Sequence, residues 1–322
     1  MAGKGSDSLD PQDFGDFPKN LLEFTTQFAT DDDCREYLIR LRWPAGFVCP
    51  WCGGTRAWRT TRGQFFCAAC KVQTSATAGT VLHKSRVPLR GWFLAMWLAC
   101  TQKTGLSAAG LQRALGLGSY RTAWLLLQKL RAAMVRLGRE RLSGLVEVDE
   151  AYVGGQEAGV RGRQLVSKCL VLVAVELDGY RMQRIRLRHV ANASGGCLGQ
   201  FVNDCVEPGS TVHTDGWRGY GDLQQAGYEH HVTPTRGDDE ITAAEFPHVH
   251  LVVSLLKRWL IGTHQGAVGA KHLQLYLDEF TFRFNRRKSR HVGNIFFRLA
   301  EALVVKEAIT YQGLTARTGP SS

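Results

Sequence analysis

The sequence predicts a multidomain chain of the α+β class, with a cysteine-rich module first, a helical segment next and a mixed-sheet α/β domain last. Three observations support this prediction. Two closely spaced cysteine pairs lie within 49–70. Apolar residues recur with helical spacing over 87–138, and from Gly144 onward they form short runs typical of strands.

Composition divides the chain into five stretches. Residues 1–20 are polar and rich in Gly and Asp, which predicts a flexible N-terminus. We assign 21–80 to the cysteine-rich region, 87–138 to the helical segment and 144–300 to the domain with strands. Residues 301–322 are interpreted as the end of a C-terminal helix and a tail.

The charge of the chain favours a polyanionic partner. Lys and Arg number 40 against 29 Asp and Glu, which gives a net charge of +11. Such an excess can be a solubilising surface, but here basic residues cluster between aromatics, as over 283–290. That pattern favours nucleic acid, and we expect double-stranded DNA as the partner.

Nothing in the sequence predicts a membrane partner. The longest apolar stretch, Trp92–Cys100, is too short to span a bilayer, and the polar, acidic N-terminus is unlike a secretory signal. The nine cysteines, four of them in paired spacing, indicate a reducing compartment. We therefore expect a cytoplasmic protein associated with the nucleoid.

The four paired cysteines, Cys49, Cys52, Cys67 and Cys70, have the spacing C-x2-C, then residues 53–66, then C-x2-C. Each pair can place two thiolates on one ion, and a hairpin between them closes a tetrahedral site. We predict a zinc ribbon with structural Zn²⁺; two disulfides or buried free thiols are the alternative. Between the pairs, the predicted phosphate contacts are Arg56 and Arg62.

The helical segment has the pattern of a helix-turn-helix. Ser107 can cap one short helix that Gly116 ends, and Ser119 can cap the next, Tyr120–Leu137. The second helix would then be available to a major groove, with Arg121 as a DNA contact. A plain helical hairpin that packs on the core is the alternative. The residues of this second helix that we expect to face outward include Arg121, Gln128, Lys129 and Arg131.

The last domain is predicted to contain five strands and two helices before its final helices. The first three strands, joined by tight turns, form an antiparallel meander. The predicted elements in order are strands Leu145–Tyr152, Ser167–Glu176 and Met182–Val190, helix Cys197–Cys205, strand Thr211–Thr214, helix Tyr220–Ala226 and strand Tyr228–Val232. The order βββαβαβ, with an acidic residue on the first and fourth strands, is the topology of the ribonuclease H fold.

Those two acidic residues are Asp149 and Asp215. Displacement at a phosphodiester needs cations that activate the attacking oxygen and stabilise the leaving one, so the protein mainly supplies oxygen ligands. We predict that both aspartates are catalytic and bind Mg²⁺ or Mn²⁺. Each could instead be an ordinary surface or turn residue, since Asp215 precedes a glycine.

A third ligand is expected from a helix that begins at Pro247. His250, Ser254 and Lys257 would share one face of this helix. A neutral imidazole suits Mn²⁺ better than Mg²⁺. We predict His250 as the third catalytic residue, with Glu245 as the nearest alternative carboxylate; His250 could also be an ordinary polar residue or a DNA contact.

Further basic residues occur on the last predicted helices, close to aromatic residues that we expect in the core. Their charge and position suit contacts with DNA phosphates. The residues predicted to make these contacts are Lys257, Arg258, Arg283, Arg286 and Arg287.

Together these motifs resemble a bacterial insertion-sequence transposase of the ISXO-like lineage, related to the eukaryotic Merlin elements. The matching segments cover most of residues 30–300: the four-cysteine ribbon, 148–155, 213–216, 254–258, 262–264, 276–280 and 283–287. The resemblance implies a DDE-type active site, strand cleavage and strand transfer at terminal inverted repeats, and a homodimer or higher synaptic oligomer. One departure is that relatives usually have Asn and then Glu where this chain has Pro247 and His250.

Three functions are compatible with this sequence. The first is a transposase that acts on the ends of its own element and on target DNA. The second is a DNA-binding protein, derived from a transposase, whose catalytic fold is inactive. The third is a structure-specific nuclease of the same fold.

Overall fold

The computed structural model describes residues 17–136, 138–154, 168–234, 245–265 and 268–316. The chain folds as two compact units, the first comprising residues up to Ala133 with Lys288–Tyr311, the second Met134–Arg287 with the residues from Gln312. The helices are α1 (Leu21–Gln27), α2 (Asp31–Arg42), α3 (Leu89–Thr101), α4 (Ala108–Leu115), α5 (Tyr120–Ala133), α6 (Gly195–Cys205), α7 (Pro247–His264), α8 (Leu273–Asn285), α9 (Val292–Val305) and α10 (Tyr311–Ala316). The strands are β1 (Ala57–Arg59), β2 (Phe65–Cys67), β3 (Gln73–Thr74), β4 (Leu145–Val153), β5 (Cys169–Asp178), β6 (Arg181–Val190), β7 (Thr211–Asp215) and β8 (Glu229–Thr233).

The core of the first unit is a cluster of aromatic rings. Phe28 lies 4.7 Å from Phe93 and 5.6 Å from Phe296, measured between ring centroids. Phe24 lies 5.6 Å from Phe296 as well. Because Phe296 packs there, α9 belongs to the first unit, whereas the sequence-based boundary at residue 300 had placed it with the strands.

The ribbon is a three-stranded antiparallel sheet in the order β1-β2-β3. Its small core stacks Phe47 on Phe65, with ring centroids 4.7 Å apart. Arg59 of β1 donates to both carboxylate oxygens of Glu36 on α2, at 3.0 and 2.5 Å. The hairpin that the cysteine spacing predicts is therefore present and is held against α2.

The two turns predicted around α4 are present. The Ser107 hydroxyl accepts the Gly110 N–H at 3.0 Å, and Gly116 ends the helix with a left-handed backbone, φ 60°. The predicted extension of α5 to Leu137 is not observed, since α5 ends at Ala133; Leu137 itself lies outside the described residues.

The expectation that the middle of α5 faces outward was wrong. Gln128, Lys129 and Arg131 are all buried, because α3, α4 and α9 pack around this helix. The Lys129 ammonium donates to the Val81 carbonyl at 3.1 Å. The second half of α5 is therefore a core helix, as in the plain helical hairpin that the sequence left open.

The second unit contains a five-stranded sheet in the order β6-β5-β4-β7-β8. The first three strands pair antiparallel, while β4–β7 and β7–β8 pair parallel. One face packs against α6 through residues such as Phe201, and the other against α7 and α8 through residues such as Val252. The predicted ribonuclease H-like sheet is confirmed.

One predicted helix in this unit was wrong. The stretch expected to form a helix over 220–226 contains only a single 3-10 turn, Arg218–Tyr220, followed by further turns. Tyr220 is buried in the core beneath α6, and Gly227 takes φ 90° as the chain reverses toward β8. That reversal leaves no room for a regular helix. Among the described residues, no helix is long and apolar enough to cross a membrane.

Candidate active site and metal centres

The four ribbon cysteines converge on one point. Their sulfur atoms all lie within 4.8 Å of one another, with Cys49–Cys70 and Cys52–Cys67 each 3.6 Å apart. The backbone N–H of Cys70 lowers the pKa of the Cys67 thiol to about 6, which favours a thiolate. Four free thiols in this geometry fit a tetrahedral zinc ion, which these residues would hold.

Asp149 and Asp215 lie level with each other on neighbouring strands. The parallel pairing of β4 with β7 ends with Glu147 opposite His213, and Asp149 and Asp215 each lie two residues beyond that last pair, near enough for the charge of Asp215 to raise the pKa of Asp149. Residues two apart in a strand share a face, so all four side chains are on the face toward α7. The structure therefore brings the two predicted aspartates to one place, as the sequence order required.

Asp149 is a buried carboxylate, with 9% of its surface exposed. Burial raises its pKa to about 7, and the negative charges of Glu150 and Asp215 add to this effect. Its own side chain accepts the backbone N–H of Glu150 at 2.8 Å. A carboxyl in this environment is stabilised as an anion when a cation is present, which is a property of metal-binding carboxylates.

Asp215 also makes the turn that the sequence allowed. Its carboxylate accepts the backbone N–H of Trp217 at 3.0 Å, and the indole of Trp217 donates to the Ala193 carbonyl at 3.1 Å. One carboxylate oxygen is thus occupied by the turn. The turn orients Asp215 and does not exclude a ligand role, because a carboxylate has two oxygens.

His250 lies in a cleft of about 310 Å³ with Asp149. It comes from α7, which begins at Pro247 as predicted. Its Nε2 is buried and has no hydrogen-bond partner among the described residues. An unpartnered imidazole nitrogen beside a buried carboxylate fits a divalent cation that accepts nitrogen as well as oxygen ligands.

The other candidates for the site divide clearly. Lys257 lines the same cleft and is exposed, so it can reach a phosphate there. Glu245 is exposed and does not line the cleft, and its negative charge acts on His213 instead. Arg258 is exposed next to Lys257 but does not line the cleft. Of the two alternatives for a third ligand, the geometry favours His250.

Sequence reasoning missed three groups at this site. Glu147 is 4% exposed; its carboxylate is bonded to Nδ1 of His248 at 2.7 Å and accepts the Val249 N–H at 3.1 Å. These bonds tie the start of α7 to β4. Lys168, which lies just before β5, also lines the cleft. Glu150 lines it too and accepts a hydrogen bond from the hydroxyl of the buried Tyr220. The one available signal was a second acidic residue two positions before Asp149.

The predicted DNA contacts in the first unit are exposed. Arg56 and Arg62 both face solvent on the ribbon. Arg121 is exposed at the start of α5, although its guanidinium lies 4.0 Å from the ring of Tyr311. Zinc-ribbon and helix residues of this kind remain available to a phosphate backbone.

The three arginines in and just after the last turn of α8 have intramolecular partners instead. Arg287 donates to the carbonyls of Met182 and Gln183 at 2.5 and 2.9 Å. Arg286 lies over the Phe282 ring at 4.0 Å, and Arg283 is 3.6 Å from the buried Glu279. The physical reason is that β6 is an edge strand, whose unpaired backbone groups need cover.

The side chains of α8 provide that cover along the strand. Asn285 accepts the Ile185 N–H at 2.8 Å, and Gln274 accepts the His189 N–H at 2.9 Å. The basic, aromatic segment in which we predicted phosphate contacts therefore covers the edge of the sheet at β6, and the geometry favours a structural role for its arginines.

A ribonuclease H-like sheet with aspartates on two neighbouring strands, together with a four-cysteine ribbon, is an arrangement typical of DDE-type transposases. Residues 141–285 belong to the ISXO2-like transposase domain family, and residues 29–73 to the transposase zinc-ribbon domain family. The resemblance seen in the sequence motifs is thereby confirmed.

A relative from a transposable element agrees with these matches. The chain is 27% identical over 278 residues to an uncharacterized protein in transposable element ISH50 of Halobacterium salinarum. The alignment covers 80% of this chain and 91% of that protein.

Proposed function

We propose that this protein cleaves DNA strands at the terminal inverted repeats of its insertion sequence and joins them to target DNA. The observation that supports this most is the level placement of Asp149 and Asp215, with His250 and Asp149 lining one cleft. The family of residues 141–285 supports the class of reaction.

Asp149 and His250 line the cleft and Asp215 does not, and the three together offer a ligand set that fits Mg²⁺ or Mn²⁺ as the catalytic metal. Asp149 and Asp215 would supply oxygen ligands and His250 a nitrogen ligand, a set that suits Mn²⁺ better than Mg²⁺. When bound, such ions activate the attacking oxygen and neutralise charge at the phosphorus. Among the described residues, three such ligand atoms lie within 4.8 Å of one another only in the ribbon.

The other residues of the cleft would position the substrate. Lys257 and Lys168 line it from two directions, and their ammonium groups can hold phosphate oxygens on either side of the scissile bond. Glu147 would hold the start of α7, and therefore His250, against β4 through its bonds to His248 and Val249. We also propose that two copies hold two element ends, and that DNA keeps the protein at the nucleoid.

A strand-transfer assay tests this function. Purified protein with zinc is incubated with labelled element ends, a target duplex and Mn²⁺ or Mg²⁺. We expect cleaved ends and joined products. Binding without cleavage would instead identify an inactive DNA-binding protein derived from a transposase. The histidine at position 250, where relatives have a carboxylate, would then explain the loss of cleavage. Cuts at branched DNA without joining would identify a nuclease.

A further inference from the structure

The first unit contains a cleft of its own. Its volume is about 530 Å³, and it lies between the hairpin loop of the ribbon, the start of α2 and the segment 82–89. We call it the hairpin cleft. The basic residues that line it are Arg35, Arg62, His83, Lys84 and Arg86.

The positive charge of the hairpin cleft is not neutralised by acidic side chains among its described lining residues. Arg62, Lys84 and Arg86 are exposed, and no carboxylate of the described residues lies within ion-pair distance of them. The acidic side chain among the described lining residues is Asp31, which accepts the backbone N–H groups of Leu89 and Arg90 at 3.3 and 2.8 Å. Its charge is thus directed at the start of α3, and the three cations face solvent without compensation.

The walls of the hairpin cleft are held in place by contacts with α2. Arg42 of α2 donates to the carbonyls of Ser75, Ala76 and Ala78 at 3.2, 2.8 and 2.6 Å. At the other wall, Gly63 has φ 70°, and a Cβ there would lie 3.2 Å from the side chain of Arg35. The left-handed backbone at position 63 favours glycine, and the loop that it forms lies against Arg35 of α2 with Arg62 next to it.

We propose that the hairpin cleft binds the phosphodiester backbone of duplex DNA, with Arg62, Lys84 and Arg86 as phosphate contacts. A concave site with several uncompensated cations on fixed walls suits a polyanion, and its contacts position the duplex without reading its sequence. The inference rests on the proposed function in taking DNA as the substrate. It adds Lys84 and Arg86, which lie outside both family matches.

The test compares two double variants of the full, zinc-loaded chain. Lys84→Ala with Arg86→Ala removes two charges from the hairpin cleft, while Lys19→Ala with Arg90→Ala removes two charges from exposed positions that do not line it. Affinity for a labelled duplex is measured by fluorescence anisotropy over a series of salt concentrations. We expect the cleft variant to bind roughly tenfold more weakly, with a slope of log affinity against log salt that is shallower by about 2.

A near-isosteric substitution separates loss of contacts from loss of folding. Gln64→Glu adds one negative charge to the lining with almost no change in shape, and we expect it to weaken binding in the same direction. Equal affinity and equal salt slope for the cleft variant and the control variant would overturn the hairpin cleft, as would tighter binding of an RNA duplex than of DNA. Wild-type protein that binds DNA but never cuts it would overturn the catalytic proposal alone. The salt dependence of binding by the two double variants would still test DNA binding by the hairpin cleft.

Discussion

The two candidate metal centres of this chain are built in opposite ways. The zinc ligands all come from one short segment, Cys49 to Cys70, and a three-stranded hairpin brings them within 4.8 Å of one another. The catalytic candidates come from two strands and a helix, at Asp149, Asp215 and His250. The first site depends on local turns and the second on the register of a sheet, so substitutions should affect them differently.

The largest effect is expected at the zinc centre. Cys67→Ser removes one of four thiolates, and structural zinc sites of this type contribute roughly 10 kcal/mol of apparent binding free energy. We expect loss of bound zinc and unfolding of the ribbon, with the five-stranded sheet retained. Zinc content by a chromogenic chelator and far-UV circular dichroism measure the two effects.

The matched control for that substitution is Cys197→Ser, at a half-buried cysteine with no metal spacing. It should keep one zinc per chain. A Cys67→Ser protein that retained zinc as well as the control would show that the centre does not depend on all four thiolates.

The next largest effect is expected at the catalytic aspartates. Asp149→Asn preserves shape but removes the anionic oxygen, so cleavage should fall by roughly a thousandfold or more. DNA affinity should change little, because the substitution leaves the cations proposed to contact phosphate, such as Lys257, in place. Gel assays of cleavage and anisotropy of binding measure the two separately. The control Asp178→Asn, at the exposed end of β5, should cut normally; if both variants cut alike, the metal site is assigned to the wrong residue.

A smaller effect is expected at the third ligand. His250→Ala should slow cleavage roughly a hundredfold, whereas His250→Glu should retain activity and shift the metal preference from Mn²⁺ toward Mg²⁺, because a carboxylate is the harder ligand. Rates measured with each metal give the comparison. Identical rates and metal preferences in all three proteins would make His250 an ordinary helix residue.

The smallest effect is expected from the residue that positions α7. Glu147→Ala leaves the Val249 N–H without its partner, which costs about 1–3 kcal/mol of folding free energy. It should also slow cleavage roughly tenfold by displacing His250. Glu147→Gln, which can still accept the N–H, should recover most of both. Chemical denaturation and cleavage rates are the measurements, and an equal loss in both variants would argue against a positioning role.

The arginines show why site prediction from a sequence is uneven. Arg62 and Arg287 both lie close to aromatic residues in basic stretches, and the same argument assigned both to DNA. Arg62 faces solvent at the rim of the hairpin cleft, while Arg287 bonds to carbonyls of the edge strand β6. Charge alone cannot separate the two, because the difference depends on which strand lies at the edge of the sheet.

The sequence by itself determined the features that depend on local spacing: the cysteine quartet, the caps of α4, the start of α7 and the succession of strands along the chain. Those features follow from local turn geometry and from the periodicity of apolar residues, and both signals are present in the amino-acid sequence itself. Only the tertiary structure decided that α9 joins the aromatic core of the first unit, that half of α5 is buried, and that His250 rather than Glu245 lines the cleft with Asp149. These outcomes depend on which surfaces meet after the chain has folded, and packing between distant segments leaves no periodic signal in the sequence.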